Sequence, residues 1–170
     1  MASLIEDLIT IIEETTGCYQ ELLIVANNKK DVIIKGNVPS LQTLTDQEQG
    51  VAGRLLRLEK KRVEILEDIC LVTNKDSKVM TISTLIEMLS KQEVEQKKLR
   101  DASNALIDIV NQVKGINDLN KLLINESIDF VNFTMTALKT SNEAPTGNSY
   151  ERKGNLYQQQ FGNNFFDAKQ

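Results

Sequence analysis

Apolar residues recur at helical spacing over the first 30 residues of the chain. Ser3 and Glu6 form a capping-box pattern that predicts a helix start at Ser3. We predict that this helix runs to about Lys30 and has a frayed apolar end at 32–34. Its predicted buried face comprises Leu4, Leu8, Ile11, Ile12, Thr15, Cys18, Tyr19, Leu22, Val25 and Ala26. The opposite, polar face carries Glu6, Glu13, Glu14 and Glu21.

Gly36 and Pro39 interrupt this pattern, because glycine permits a left-handed helix end and proline cannot continue a hydrogen-bonded helix. The chain is therefore predicted to turn back and to form a second helix from about Ser40, with a further capping box at Thr45 and Glu48. The apolar face of this helix is predicted to comprise Leu41, Leu44, Val51, Leu55, Leu58, Val63, Leu66, Ile69 and Cys70. The polar run at 73–77 predicts a second turn.

The amphipathic stretch from Thr81 predicts a short helix, with capping-box spacing from Thr84 to Glu87 and from Ser90 to Glu93. A long helix at about 91–139 follows. With Leu99 at heptad position a, the d positions are apolar: Ala102, Ile109, Ile116, Leu123, Phe130 and Ala137. The f positions are polar: Asn104, Asn111, Asp118, Asn125 and Asn132.

Towards the end of this helix the apolar residues move onto e positions, at Ile124, Val131 and Leu138. A straight helix with about 3.6 residues per turn drifts in this way against a strict heptad, so we predict packing in a bundle. We favour one unbroken helix because the heptad continues through Gly115. Such a helix would outrun the first by about 25 Å. Asn120 stands at an a position, where it can fix helix register; Asn117 and Asn120 can equally be ordinary exposed amides.

The C-terminal segment, 141–170, begins with a stretch rich in Pro, Gly, Ser, Thr and Asn that is typical of a linker. Five of the eight aromatic residues nevertheless follow residue 140, namely Tyr150, Tyr157, Phe161, Phe165 and Phe166. Tyr157, Phe161 and Phe165 would share one face of a helix, as in segments that bind in an apolar groove. We predict that these five aromatic residues contact a partner protein, through a segment that orders on binding. Packing on the chain's own bundle, or in a homodimer, is the alternative.

These patterns predict an all-α fold: an antiparallel bundle of three long helices, or four if the last one breaks at Gly115, plus a short helix and a flexible C-terminal segment. The predicted division is a bundle at 1–140 and a linker with an aromatic, client-binding segment at 141–170. The composition agrees, since 41% hydrophobic and 26% charged residues with two prolines and no tryptophan suit a helical bundle.

Charge and residue content argue against several classes of function. A net charge of −4 gives no basic surface for nucleic acid. The absence of histidine excludes His-based zinc sites and Ser-His or Cys-His pairs, and we expect Cys18 and Cys70 to be buried apolar side chains. The basic run on the second helix is interleaved with glutamates and is interpreted as a solvated face: Arg54, Arg57, Lys60, Lys61 and Arg62. We predict a protein without catalytic activity, cofactor or metal.

The first residues lack the basic region of a signal peptide, and no run of 18 apolar residues occurs. We therefore expect a cytoplasmic protein without stable membrane insertion.

Several stretches together resemble the FlgN family of flagellar type III export chaperones. They are Ile34-Lys35-Gly36-Asn37; Gln47-Glu48-Gln49 with Leu55, Leu58-Glu59 and Arg62; Asn117-Asp118-Leu119-Asn120-Lys121-Leu122-Leu123 with Ser127-Ile128; and Tyr150, Gly154 and Phe166-Asp167-Ala168-Lys169. The resemblance implies a chaperone that binds the C-terminal helices of the unassembled hook-filament junction proteins FlgK and FlgL and docks on the export gate without nucleotide. It places the client-binding segment at Tyr150 and 157–166. A structural, dimeric coiled-coil adaptor is the competing interpretation.

Overall fold

The structure, a computed structural model, describes residues 2–74 and 80–142. Four α-helices occupy most of this part: α1 (Ala2–Ile34), α2 (Val38–Thr73), α3 (Ile82–Met88) and α4 (Glu93–Asn142), with a turn of 3-10 helix at Leu89–Lys91 after α3. These residues contain no strand, so the predicted all-α class is confirmed, as is the short helix. The predicted division into bundle and C-terminal segment depends on residues beyond Asn142, which lie outside the described part.

The turn between α1 and α2 follows from three residues of the stretch 36–39. Gly36 adopts a φ of +64°, in the left-handed region that glycine tolerates best. The side-chain oxygen of Asn37 accepts a hydrogen bond from the Ser40 backbone N–H at 3.1 Å and caps α2. Pro39 then lies in the first turn, where its missing N–H is not needed. As a result α2 begins two residues before its predicted start at Ser40.

The frayed end predicted at 32–34 is wrong, since α1 runs to Ile34 and Ile33 is only 6% exposed.

Capping boxes located some helix starts and missed others. The box at Ser3 predicts the start of α1 to within one residue of Ala2, whereas Thr45 lies inside α2, where its hydroxyl donates to the carbonyl four residues earlier at 2.9 Å. The cap of α3 is Thr81, whose side-chain oxygen accepts from the Thr84 N–H at 3.1 Å, while Ser90 falls in the 3-10 turn. A Ser or Thr three residues before a glutamate also occurs within helices, where its hydroxyl bonds back to the preceding turn.

α1 is the central helix and packs against both α2 and α4. Near the start of α1, Leu8 belongs to the same buried cluster as Ile69 at the end of α2 and Leu99 at the start of α4. Near the other end of α1, the Asn120 side chain of α4 donates to the Ala26 carbonyl at 2.8 Å. Consecutive long helices therefore run antiparallel, and α1 and α4 run parallel.

The larger core lies at one end of the bundle. It combines the first turns of α1, the end of α2, Met80, α3 and the start of α4 around Ile5, Leu8, Ile12, Ile69, Leu85 and Leu99, each fully buried. The Gln96 side chain donates to the Ile86 carbonyl at 2.8 Å and joins α3 to α4. A second cluster, Ile11, Cys18, Val51 and Leu58, joins α1 to α2.

The predicted apolar faces of α1 and α2 agree closely with the observed burial. On α1 every predicted residue is buried or half-buried and the four glutamates are exposed. Cys18 and Cys70 are both buried and free, as predicted. On α2 Val63 is the exception at 42% exposed, because it lies nearly opposite the stripe through Leu58 and Ile65 that faces α1.

α4 is unbroken through Gly115, as favoured from the sequence. Its 50 residues give a length of about 75 Å, against about 50 Å for the 33 residues of α1. All five predicted f positions are exposed. From 125 to 140 every residue of α4 is exposed, and we call this stretch the free end of α4. The predicted d positions Phe130 and Ala137 therefore face solvent, because the drift of a straight helix against the heptad turns them away from α1, which itself ends at Ile34.

Candidate functional site

The free end of α4 exposes large apolar side chains. Phe130 and Phe133 are 70% and 72% exposed, and Ile128, Val131 and Met135 are each exposed by more than half of their surface. Charged residues are sparse here, comprising Glu126, Asp129 and Lys139. A surface helix normally confines its apolar residues to one buried stripe. The free end therefore exposes more apolar surface than a surface helix normally does.

The apolar residues of the free end form two faces, since successive residues are rotated by about 100° around a helix. The inner face, Ile128, Val131 and Met135, continues the side of α4 that packs on α1 through Val113 and Asn120. The outer face lies roughly opposite and comprises Phe130 and Phe133, in line with Leu119 and Leu122, which are 39% and 54% exposed. A partner on one face would leave the other open.

A groove of about 250 Å³ adjoins the inner face where α1 ends, α2 begins and α4 passes. Its apolar lining comes from all three helices: Val32, Ile33, Val38, Leu41, Ile124, Ile128 and Val131. The remaining lining residues are Gly36, Asn37, Ser127 and Asn132, so no charged side chain borders the groove. The groove can therefore accept an uncharged, apolar segment.

Asn120 marks where the α1–α4 contact is fixed, just before the groove. It is 4% exposed, and its Nδ2 donates to the Ala26 carbonyl at 2.8 Å. Its Oδ1 is buried without a hydrogen-bond partner among the described residues. Asn117 is exposed. The structure thus favours the register role for Asn120, and Asn117 is an ordinary surface amide.

The basic run on α2 forms a largely solvated face, as predicted, since only Arg62 of its five residues is half-buried. Arg54 pairs with Glu21 of α1 across the helix interface. Arg62 donates to Glu59 at 2.8 and 2.5 Å, and this hydrogen bonding lowers the pKa of Glu59 and raises that of Arg62. These are helix-surface ion pairs.

None of the helices within 2–74 and 80–142 combines the length and hydrophobicity needed to span a bilayer. Over the same residues, no group of three or more Cys, Asp or Glu side chains is arranged to hold a metal ion.

The five aromatic residues predicted to contact a client, Tyr150, Tyr157, Phe161, Phe165 and Phe166, lie outside the described residues. The structure instead draws attention to Phe130 and Phe133, which sequence analysis did not assign to a site. The heptad pattern places Phe130 at a d position and therefore predicts that it packs inside the bundle. The sequence feature that could have indicated their exposure is the predicted length of the last helix, which exceeds that of the first.

A model of the FlgN protein family matches residues 1–158 of this chain. The chain belongs to the FlgN family. The match includes all four helices and the free end of α4, and it extends past Tyr157 but ends before Phe161. Membership implies a role as a flagellar export chaperone and a place in flagellum assembly. Comparisons with curated proteins and with solved structures gave no match.

Proposed function

We propose that this FlgN-family protein is a cytoplasmic chaperone that binds the unassembled hook-filament junction proteins FlgK and FlgL and delivers them to the flagellar export gate. The supporting observation is the free end of α4, a helix end with apolar residues on two faces in a chain of a chaperone family. A chaperone of this kind has only to cover the client's assembly surface, and it catalyses no chemical reaction.

The client surface begins, on this proposal, at the outer face. An amphipathic client helix laid along it would bury Phe130 and Phe133, which are now 70% and 72% exposed. A buried aromatic side chain removes about 150–250 Å² from water, at about 25 cal/mol per Å². Only the exposed part of each ring, about 70%, can be newly buried, and ordering of side chains costs about 0.5–1.5 kcal/mol, which leaves about 2–3 kcal/mol for each ring. Two such rings would supply anchors for a complex that must later release its client.

The five aromatic residues of the C-terminal segment remain predicted client contacts: Tyr150, Tyr157, Phe161, Phe165 and Phe166. Their position after the free end of α4 would let them close over a client already held on the outer face.

Calorimetric titration of the full chain with FlgK and with FlgL tests the proposal. Phe130→Ala and Phe133→Ala should each weaken binding by about 1–3 kcal/mol without lowering the melting temperature, because both rings are exposed in the free protein. Leu56→Ala is the matched control, since Leu56 is 74% exposed on α2 and should leave the affinity unchanged. Absence of binding to both clients, or equal losses for all three variants, would contradict the proposal.

The overhang of α4 also favours a second candidate, the dimeric coiled-coil adaptor. Two free ends could pair and bury their apolar faces against each other, as in an isologous interface. Sedimentation over a wide concentration range separates the two functions. A dimer at every concentration that binds neither FlgK nor FlgL would identify the adaptor.

A further inference from the structure

The groove at the end of α1 is suited to aromatic rings. An apolar cavity of about 150 Å³ holds one benzene molecule, so the groove, at about 250 Å³, has room for one or two rings. Its walls are continuous with the α1–α4 interface through Ile124, and its far side opens onto Ile128 and Val131 of the inner face. An occupant would therefore extend the packing that α1 provides along the rest of α4.

We propose that, before a client binds, this groove is occupied by residues 155–166 of the same chain, with Phe161 and Phe165 as the inserted rings and Tyr157 beside them at the edge of the groove. Tyr157, Phe161 and Phe165 are spaced four residues apart, so they would lie on one face of a helix. No charged residue occurs from 154 to 166, and none borders the groove. Neither surface would bury a charge on contact.

Chain length selects this occupant over a second molecule. α4 ends at Asn142, 14 residues beyond Ile128 in the groove wall, which corresponds to about 21 Å of helix. A flexible linker of 14 residues, the length of 143–156, has a root-mean-square span of about 21 Å. A linker whose span matches the separation gives an effective concentration in the millimolar range. The same segment of a second copy, present at micromolar concentration, would compete for the groove at a concentration about a thousandfold lower.

Occupation of the groove would regulate the proposed client site, and this consequence rests on the proposed function. A client that needs Tyr157, Phe161 and Phe165 as contacts can bind only after these rings have left the groove, even when its main contact is with the outer face. If the segment fills the groove in about nine molecules of ten, the apparent affinity for such a client falls about tenfold. The protein would thereby protect its own apolar groove in the absence of a client.

Methyl NMR spectroscopy of the full chain tests the docking itself. Rings in the groove should shift the methyl resonances of Ile124, Ile128 and Val131, and the variant Phe161→Ser/Phe165→Ser should abolish these shifts. Phe166→Ser is the matched control, since residue 166 lies off the shared face and its loss should leave them in place. Leu8, in the core at the opposite end, reports any general loss of structure. Identical groove spectra for the full chain and the double variant would overturn the proposal.

Dilution and client addition complete the experiment. Ring-dependent shifts that persist over a hundredfold dilution support docking within one chain, whereas shifts that vanish on dilution would show that a second copy is the occupant. Added FlgK should abolish the shifts if the proposed function is correct. Persistent shifts in a chain that binds neither FlgK nor FlgL would refute the proposed function and leave the docked segment intact.

Discussion

Replacement of Asn120 tests what sets the register of α1 and α4. The amide is 4% exposed, makes one hydrogen bond to the Ala26 carbonyl at 2.8 Å, and buries Oδ1 without a partner among the described residues. We expect Asn120→Leu to raise the free energy of unfolding. Removal of the unpaired oxygen is worth about 1–3 kcal/mol, and burial of the leucine side chain about 1.5–3 kcal/mol.

Two losses oppose these gains. The hydrogen bond to Ala26 is worth about 0.5–1.5 kcal/mol, and ordering the leucine costs about 0.5–1 kcal/mol. The Ala26 carbonyl keeps its place in the α1 helix, so no new orphan acceptor arises. The middle of each range gives a net gain of about 2–3 kcal/mol. We also expect a looser helix register and self-association, because a buried asparagine can specify register at the expense of stability.

Urea denaturation measures the first effect as a higher midpoint with an unchanged slope, and sedimentation measures the second. Asn117→Leu is the control on the same helix, and because Asn117 is exposed its effect should stay within about 0.5 kcal/mol. A loss of about 1 kcal/mol or more for Asn120→Leu would mean that the hydrogen bond to Ala26 outweighs both gains. Unchanged sedimentation of a more stable variant would remove the register role.

Four further variants probe the bundle. Gly115→Ala should stabilise it by about 0.5–1 kcal/mol in urea denaturation, since no atom lies within 4 Å of the added Cβ, whereas Gly36→Ala, at a φ of +64°, should destabilise it by about 1–2 kcal/mol. Leu99→Ala should cost about 2–5 kcal/mol by the same assay, and a smaller loss would show that the cluster collapses around the cavity. Arg62 lowers the pKa of Glu59 below its ordinary value of 4.5, so the carboxylate contributes stability above that value and loses it as pH falls through the lower, folded-state pKa. Glu59→Gln should therefore be slightly less stable than the natural chain at pH 7 and equal to it in acid; a pH-independent difference would contradict this.

The distribution of the core fits the proposed role. The fully buried side chains gather where α1 starts and α3 closes the bundle, and the free end of α4 lies at the opposite end. Apolar surface can be exposed there without loosening the core, because Leu8 and Leu99 are packed far from it. A binding surface set apart from the stabilising cluster can gain and lose a client while the bundle stays folded.

Local sequence signals predicted the elements that depend on local physics. The face of α1 followed from the spacing of its apolar residues and glutamates, and the turn at 36–40 followed from Gly36 and Pro39. The capping box at Ser3 predicted the start of α1 to within one residue, but those at Thr45 and Thr84 failed, because the same residue pair also occurs inside helices or next to the true cap. The presence of each helix could therefore be predicted from the sequence, but the residues at which a helix begins and ends could be located only in the structure.

The sequence by itself determined that the chain is helical, where it reverses and which side of each helix is apolar, since these properties depend on residues within a few turns of one another. It could not determine which apolar residues are covered. Phe130 and Ile109 occupy the same heptad position, yet Ile109 is half-buried and Phe130 is 70% exposed. That difference arises from the position of α4 on α1, where Asn120 contacts Ala26, from the end of α1 at Ile34, and from the drift of a straight helix, which turns Phe130 towards the outer face. Only tertiary packing relates residues 94 positions apart, and it is this relation that leaves the free end of α4 open to a partner.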